Sequence, residues 1–326
     1  MPFKFLMKYI IITTCILLLA ISCKSESELE QNIANINTDI SIERFDKLFV
    51  NATLEELPNL KKAYPFLFSE KYVDSFWVAK MNDTLQHQLF DAVESSISDF
   101  KVIENDIENL FNHLKYYFPE FNPPRVITAI SMVDYRNKVI VTDTVTLISI
   151  DTYLGEEHEF YYDIQKYIRK NLREEQIVID LAQEYAKKYI YQEPRKTLLD
   201  EMIYFGKVLY FTEVMTPNKP EEERIGYTKE ELDWAKVNES YIWRYFVERE
   251  LLYSTDSKLP NRFINPAPFT KFYLEEIDSE SPGRLGQYIG WQIVEAYMDN
   301  NPVSLKEMLI KSPEEIFNNS KFKPIK

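Results

Sequence analysis

Two cysteines, Cys15 and Cys23, are all that the sequence contains. Cys15 lies inside an N-terminal apolar run and Cys23 at its end, so loss of that leader leaves no pair to form a disulfide within one chain. The fold must then hold by its core alone, which roughly 300 residues can supply. Histidine is nearly as scarce. Of His87, His113 and His158, no two lie at the spacing of metal ligands. His87 and His113 fall in helical patterns. His158, in Gly155-Glu-Glu-His-Glu159, is the one histidine among carboxylates, read either as a stray metal position or as a solvated loop. Positive charge is short as well: 38 lysines and arginines face 52 acids, a formal net charge of -14. With no basic stripe, a nucleic-acid partner and a polybasic membrane patch are both excluded. The apolar run Ile10 to Ile21 is too short to cross a bilayer.

That run has instead the size of a signal-peptide core, with Lys4 and Lys8 before it. It closes in Ala20-Ile21-Ser22-Cys23, which resembles a bacterial lipobox. Residues 1–22 are therefore expected to be a lipoprotein signal peptide and Cys23 the lipidated first residue of the mature chain. Several buried acyl chains, at about 0.8 kcal/mol per CH₂, make such an anchor stable, so the membrane is engaged through N-terminal lipid. Residues 23–39, continuing KSESELEQNIANINTD, read as a flexible tether. Glu26, Glu28 and Glu30 loosely resemble the acidic surface-export signals of Bacteroidetes lipoproteins, and equally suit an acidic spacer.

Residues 40–326 read as a single domain. Alternation over Ile40–Phe45 predicts a strand. Helical patterns follow over Leu54–Tyr64, Leu85–Ile97 and Val102–Tyr117, the last with Ile103, Ile107, Leu110, Leu114 and Tyr117 on one face. After Pro123-Pro124 the period changes. Arg125–Ile130 predicts a buried strand, and Lys138–Thr142 with Val145–Tyr153 a hairpin. Thr228-Lys-Glu-Glu231, Ser304-Leu-Lys-Glu307 and Ser312-Pro-Glu-Glu315 are capping boxes. A helical stretch follows Thr228 and carries Trp234, Trp243, Phe246 and Leu251, and the proline-rich connector Leu259–Pro268 has apolar anchors in Phe263 and Ile264. A helix opening at Pro282 carries Gly286 and Gly290. Two glycines weaken a helix by about 1 kcal/mol each, which points to a backbone passing close by.

Ile177 to Phe211 predicts two helices joined at Pro194, with Ile177, Leu181, Tyr185 and Tyr189 on one apolar face. On the polar side Gln183 and Lys187 stand at i and i+4, where a zinc-peptidase helix carries the histidines of H-E-x-x-H, and Glu184 stands at the place of its general base. TLLDEMIYFGKVLYF, from Thr197, resembles the helix of predicted zincin peptidases that reads roughly TLLDxMIxEGLA, whose Glu is the third ligand. Phe205 occupies that place here. A zinc site needs three protein donors at least. Phe205 has none, and Lys187 would first lose a proton at a cost of roughly 4.6 kcal/mol near neutral pH. No cofactor or metal is expected, and no enzyme activity. In those relatives a helix like that from Pro282 borders the substrate cleft, so the resemblance makes Arg284, Gln287 and Trp291 a candidate groove; tight helix packing without a ligand is the other reading.

LLYSTDSKLPNRFINPAPF, SPGRLGQYIGWQIVEAYM, MIYFGKVLYF and KFKPIK resemble the gliding-motility lipoprotein family GldB of Bacteroidetes, over nearly all of the mature chain. The resemblance implies a lipid-anchored envelope component of the gliding apparatus and its associated type IX secretion machinery, on the outer membrane rather than the inner, with other envelope proteins as partners. The fold expected is α+β and predominantly helical: a degenerate zincin-like core, roughly residues 125–300, with a small mixed sheet and surrounding helices. Two other functions stay open: a divergent hydrolase of envelope polymers that uses Glu184 with other acids, or a peptide- or glycan-binding module that depends on Arg284 and Trp291.

Overall fold

Residues 42–44 pair not with their sequence neighbours but with a strand more than 80 residues on, and this pairing starts the sheet. The computed structural model describes residues 28–97, 99–273 and 275–325. The leader 1–22 and Cys23 lie outside the described residues. Two units divide the chain, Met1–Asn37 and Thr38–Lys326. In the first, helix α1 (Glu28–Ala34) occupies part of the stretch expected to be a flexible tether. Glu28 and Glu30 sit in its first turn, where negative charge complements the helix dipole.

In the second unit β1 (Ile42–Arg44) runs into α2 (Phe45–Asn51), followed by α3 (Leu57–Ala63), α4 (Asp74–Met81), α5 (Thr84–Ser96) and α6 (Phe100–Tyr117). Strands β2 (Arg125–Ala129), β3 (Val139–Val141) and β4 (Val145–Ser149) complete a four-stranded sheet in the order β1-β2-β4-β3. β2 is parallel to both β1 and β4, and β3 is antiparallel to β4, so the sheet is mixed. Alternation along the strands gives it two faces. Ile127 and Leu147 face a small aromatic cluster built from α2, α3, α4 and the α3–α4 connection, including Phe45, Phe49, Phe68 and Trp77. Val126 and Ile148 face the main core, where Thr146 shares a 2.7 Å hydrogen bond with the Tyr185 hydroxyl.

The rest is helical: α7 (Lys166–Arg169), α8 (Gln176–Tyr189), α9 (Leu198–Met215), α10 (Glu221–Ile225), α11 (Lys229–Val237), α12 (Glu239–Glu248), α13 (Leu259–Phe263), α14 (Glu275–Asp278), α15 (Leu285–Asn300), α16 (Leu305–Ile310) and α17 (Pro313–Ser320). The fold is thus α+β and predominantly helical. α8 and α9 are the expected helix pair, and α9 makes its broadest contact with α15. A Cβ on Gly206 would lie 2.2 Å from the Gly290 carbonyl oxygen, and one on Gly290 would lie 1.8 Å from that of Met202. The two backbones touch, which only residues without a side chain allow.

Three expected elements differ. The helix from Thr228 is broken at Asn238, whose side chain donates to Trp234 O at 2.9 Å and ends α11. The helix expected from Pro282 starts at Leu285, because the carbonyls before it are used elsewhere: Thr270 Oγ1 donates to Pro282 O at 2.6 Å and the Tyr227 hydroxyl to Gly283 O at 2.5 Å. Ser312 caps α17 by accepting from Glu315 N at 3.2 Å, but the return bond of a capping box is not made; Glu315 pairs with Lys311 at 2.8 Å instead.

Candidate functional site

α8 carries Gln183, Glu184 and Lys187 on the side away from its buried Ile177, Leu181 and Tyr185. Each polar group is already engaged. Gln183 Nε2 donates to Arg224 O at 2.8 Å, and Lys187 pairs with Glu184 on the same helix. The pair is solvated, its side chains 46% and 34% exposed, so it contributes little to stability. Phe205 lies on α9, half-buried, with its ring edge-on to Tyr204 at 5.2 Å. Among the described residues no hydrogen bond, ion pair or ring contact joins it to the three on α8, and no group of three or more His, Cys, Asp or Glu is placed to hold a metal.

The expected groove is not what the structure builds from Arg284, Gln287 and Trp291. Trp291 is 1% exposed, deep in the core, with Nε1 donating to Glu213 Oε2 at 3.0 Å. Gln287 is buried and donates to Ile264 O at 2.7 Å. Helix periodicity explains the correction: Gln287 and Trp291 share the flank of Gly290, the residue pressed onto α9. Arg284 alone lines a cavity, of about 350 Å³, shared with Lys138, Asn171, Gln176, Asp180, Gln183 and Gly226 among others. Gln183 thus joins Arg284, while Glu184, Lys187 and Phe205 stay outside.

The cavity wall is a network of assigned partners. Asp180 accepts from the Tyr153 hydroxyl at 2.8 Å and pairs with Lys138. Burial first, then the Asp180 charge, pushes Tyr153 well above the usual phenol range, so it stays a donor. Gln176 donates to Glu223 O at 3.2 Å, and Asn171 to Gly226 O at 3.1 Å. Gly226 ends α10 with a left-handed backbone, φ 68°, and a Cβ there would meet Asn171 Nδ2 at 2.6 Å and Arg284 Nη2 at 2.8 Å.

A family model described as gliding motility protein GldB matches residues 26–324. The chain belongs to the GldB family. No curated protein and no solved structure matches it, so the likeness to zinc peptidases is carried only by the sequence words quoted above. As a GldB-family member the chain is a gliding-motility lipoprotein. No helix of the described residues is long and apolar enough to cross a membrane.

The histidines of this GldB-family chain serve local structure. His87 Nε2 lies 2.9 Å from Met81 O, and His113 Nδ1 lies 2.9 Å from Asn109 O. His158 caps the turn Glu159–Tyr161, accepting at Nδ1 from Phe160 N at 3.3 Å, and burial lowers its pKa. Lys138, Asn171 and Asp180 were missed as cavity residues. They come from three separate segments, and no spacing in the sequence marks them. A second acidic region was missed too: Glu295 is pushed up to about 7 by burial and by the charge of Glu213, itself raised by burial.

Proposed function

We propose that the chain acts as a non-catalytic, lipid-anchored component of the gliding apparatus and its associated type IX secretion machinery, on the outer membrane, where it binds other envelope proteins. One observation supports this reading above the rest: the residues at the positions of a peptidase centre are spent on the protein itself. Gln183 is tied to the Arg224 carbonyl, Glu184 to Lys187, and Phe205 offers no donor atom. A general base must reach the proton that it takes, and a bound metal needs three donors or more. The side chains instead complete a helical surface.

Complementation of a deletion strain tests the reading. Loss of the protein should impair spreading motility and secretion, and Cys23→Ala should release the protein from the membrane. Glu184→Gln should restore both phenotypes fully. Failure of Glu184→Gln at wild-type protein level would favour the divergent hydrolase and sink the non-catalytic reading.

A further inference from the structure

The cavity beside α8 holds a guanidinium that no carboxylate answers. Arg284 Nη2 donates to Gly226 O at 2.7 Å, and its carbon lies 5.7 Å from the centre of the Tyr227 ring. Among the described residues it forms no ion pair, although a guanidinium carries five N–H donors. The nearest acids are engaged elsewhere: Asp180 with Lys138 and Tyr153, Glu231 with Lys170. Burial lowers the Arg284 pKa, opposed by Tyr227, Glu231 and Asp180. A charge in such surroundings is costly unless a counter-charge arrives. The backbone at this place is also unusual. Arg284 is left-handed, φ 61°, one residue before the positive end of α15. Tyr135 also lines the cavity, from a loop whose left-handed Met132 and Val133, at φ 61° and 59°, are held by Asp151.

We propose that the cavity binds a small carboxylate, whose two oxygens accept from the unused N–H groups of Arg284. The planar fork of a guanidinium matches a carboxylate in bidentate fashion. Lys138 is neutralised by Asp180, so the site offers one net positive charge and suits a monoanion. A phosphate dianion would meet Asp180 nearby. Gln176, Gln183 and Asn171 each spend an N–H on a backbone carbonyl and retain an amide oxygen, so the ligand's body carries N–H or O–H donors. About 350 Å³ lies at the small end of ligand sites, which suits a small acid of about a dozen heavy atoms or fewer. The proposal goes beyond the non-catalytic reading and does not need it, since a carboxylate can bind whether or not the protein also carries out chemistry.

The test is phenylglyoxal labelling of arginines in the full mature protein in detergent, read by peptide mass spectrometry, with N-acetylglycine, N-acetylglycinamide or inorganic phosphate present at equal ionic strength. N-acetylglycine should slow labelling of Arg284 several-fold and leave unchanged that of Arg244, an exposed arginine of α12 outside this cavity. The neutral amide should do nothing, and phosphate should protect less than the carboxylate. Equal protection by acid and amide, better protection by phosphate, or no protection overturns the proposal. So does complete resistance of Arg284 to labelling, because a cavity closed to phenylglyoxal is closed to the ligand. N-acetylglycine should also raise the Tm of the wild-type protein, and Arg284→Gln should abolish that rise. That variant also loses the bond to Gly226 and can unfold, so the wild-type labelling carries the test alone.

Discussion

Gly290→Ala should destabilise the protein by about 2 to 4 kcal/mol, although on an isolated helix the same change is stabilising. The added Cβ would sit 1.8 Å from Met202 O and 2.5 Å from Met202 C. Both are backbone atoms of α9, which cannot rotate away as a side-chain tip can. A carbon and an oxygen rest at about 3.3 Å or more, so α15 and α9 would have to part by more than an ångström. Around the crossing Met202, Ile203, Ile289, Trp291 and Val294 are all buried and would lose contact together. Overpacking costs typically about 1 to 3 kcal/mol and more when neither partner can yield, here taken as roughly 3 to 5. The gain in helix propensity from glycine to alanine is about 1 kcal/mol. Urea unfolding followed by circular dichroism reads the difference; with a slope near 3 kcal/mol per M, the midpoint should fall by roughly 1 M. A midpoint that stays or rises would show that propensity outweighs the contact, and the backbone-on-backbone account of the crossing would be wrong.

Two further outcomes follow from buried ionisable groups. Lys207 is 3% exposed, donates to Leu309 O at 3.1 Å and Lys311 O at 2.5 Å, and is pushed by burial down to about 8. Between that value and the ordinary ~10.4, the unfolded chain holds a proton that the folded chain has shed, so stability should rise with pH across this window by up to about 3 kcal/mol and have no such slope below it. The measurement is the difference between wild type and Lys207→Met from pH 7 to 11, in which tyrosine ionisation cancels; parallel curves would refute the assignment. Asp151, fully buried, accepts from Ser131 N at 2.9 Å, Ser131 Oγ at 3.1 Å and Val133 N at 2.7 Å, and so holds the left-handed loop. Asp151→Ala should cost about 3 to 5 kcal/mol by removing the charged acceptor of two half-buried backbone donors, and hydrogen exchange at residues 131–133 should speed up more than in β4. Uniform exchange across both would count against a local clamp.

Legibility followed the range of the interactions. α5, α6 and the hairpin were readable because their apolar repeats are local, and the boxes at Thr228 and Ser304 because a cap acts within four residues. The box at Thr197 was missed because Asp200 closes it where Glu or Gln is the usual partner. α4 escaped because Phe76, Trp77 and Tyr72 pack on one another rather than along one stripe. The strand order depends on β1 meeting β2 across five intervening α-helices, which no window detects. At the candidate site Arg284 and Gln183 were both singled out from the sequence, but their meeting and their other neighbours were not readable. Asn171, Asp180 and Gly226 become adjacent only when α8, α10 and the start of α15 converge. Trp291 stayed open between two readings for the reverse reason: an aromatic next to a glycine suits a groove wall and a helix crossing equally, and packing chose the second.

The sheet has a consequence for a protein held by lipid among its own copies. Its two borders, β1 and β3, are three residues each. A strand from another copy would find about 10 Å of free edge, too little to extend a ladder. β1 narrows this further, since its Ile42 N–H is taken by Glu104 at 3.1 Å and the next two residues are Glu43 and Arg44. Crowding on a membrane surface, which raises local concentration and favours strand exchange, therefore meets a molecule with almost no ladder to offer.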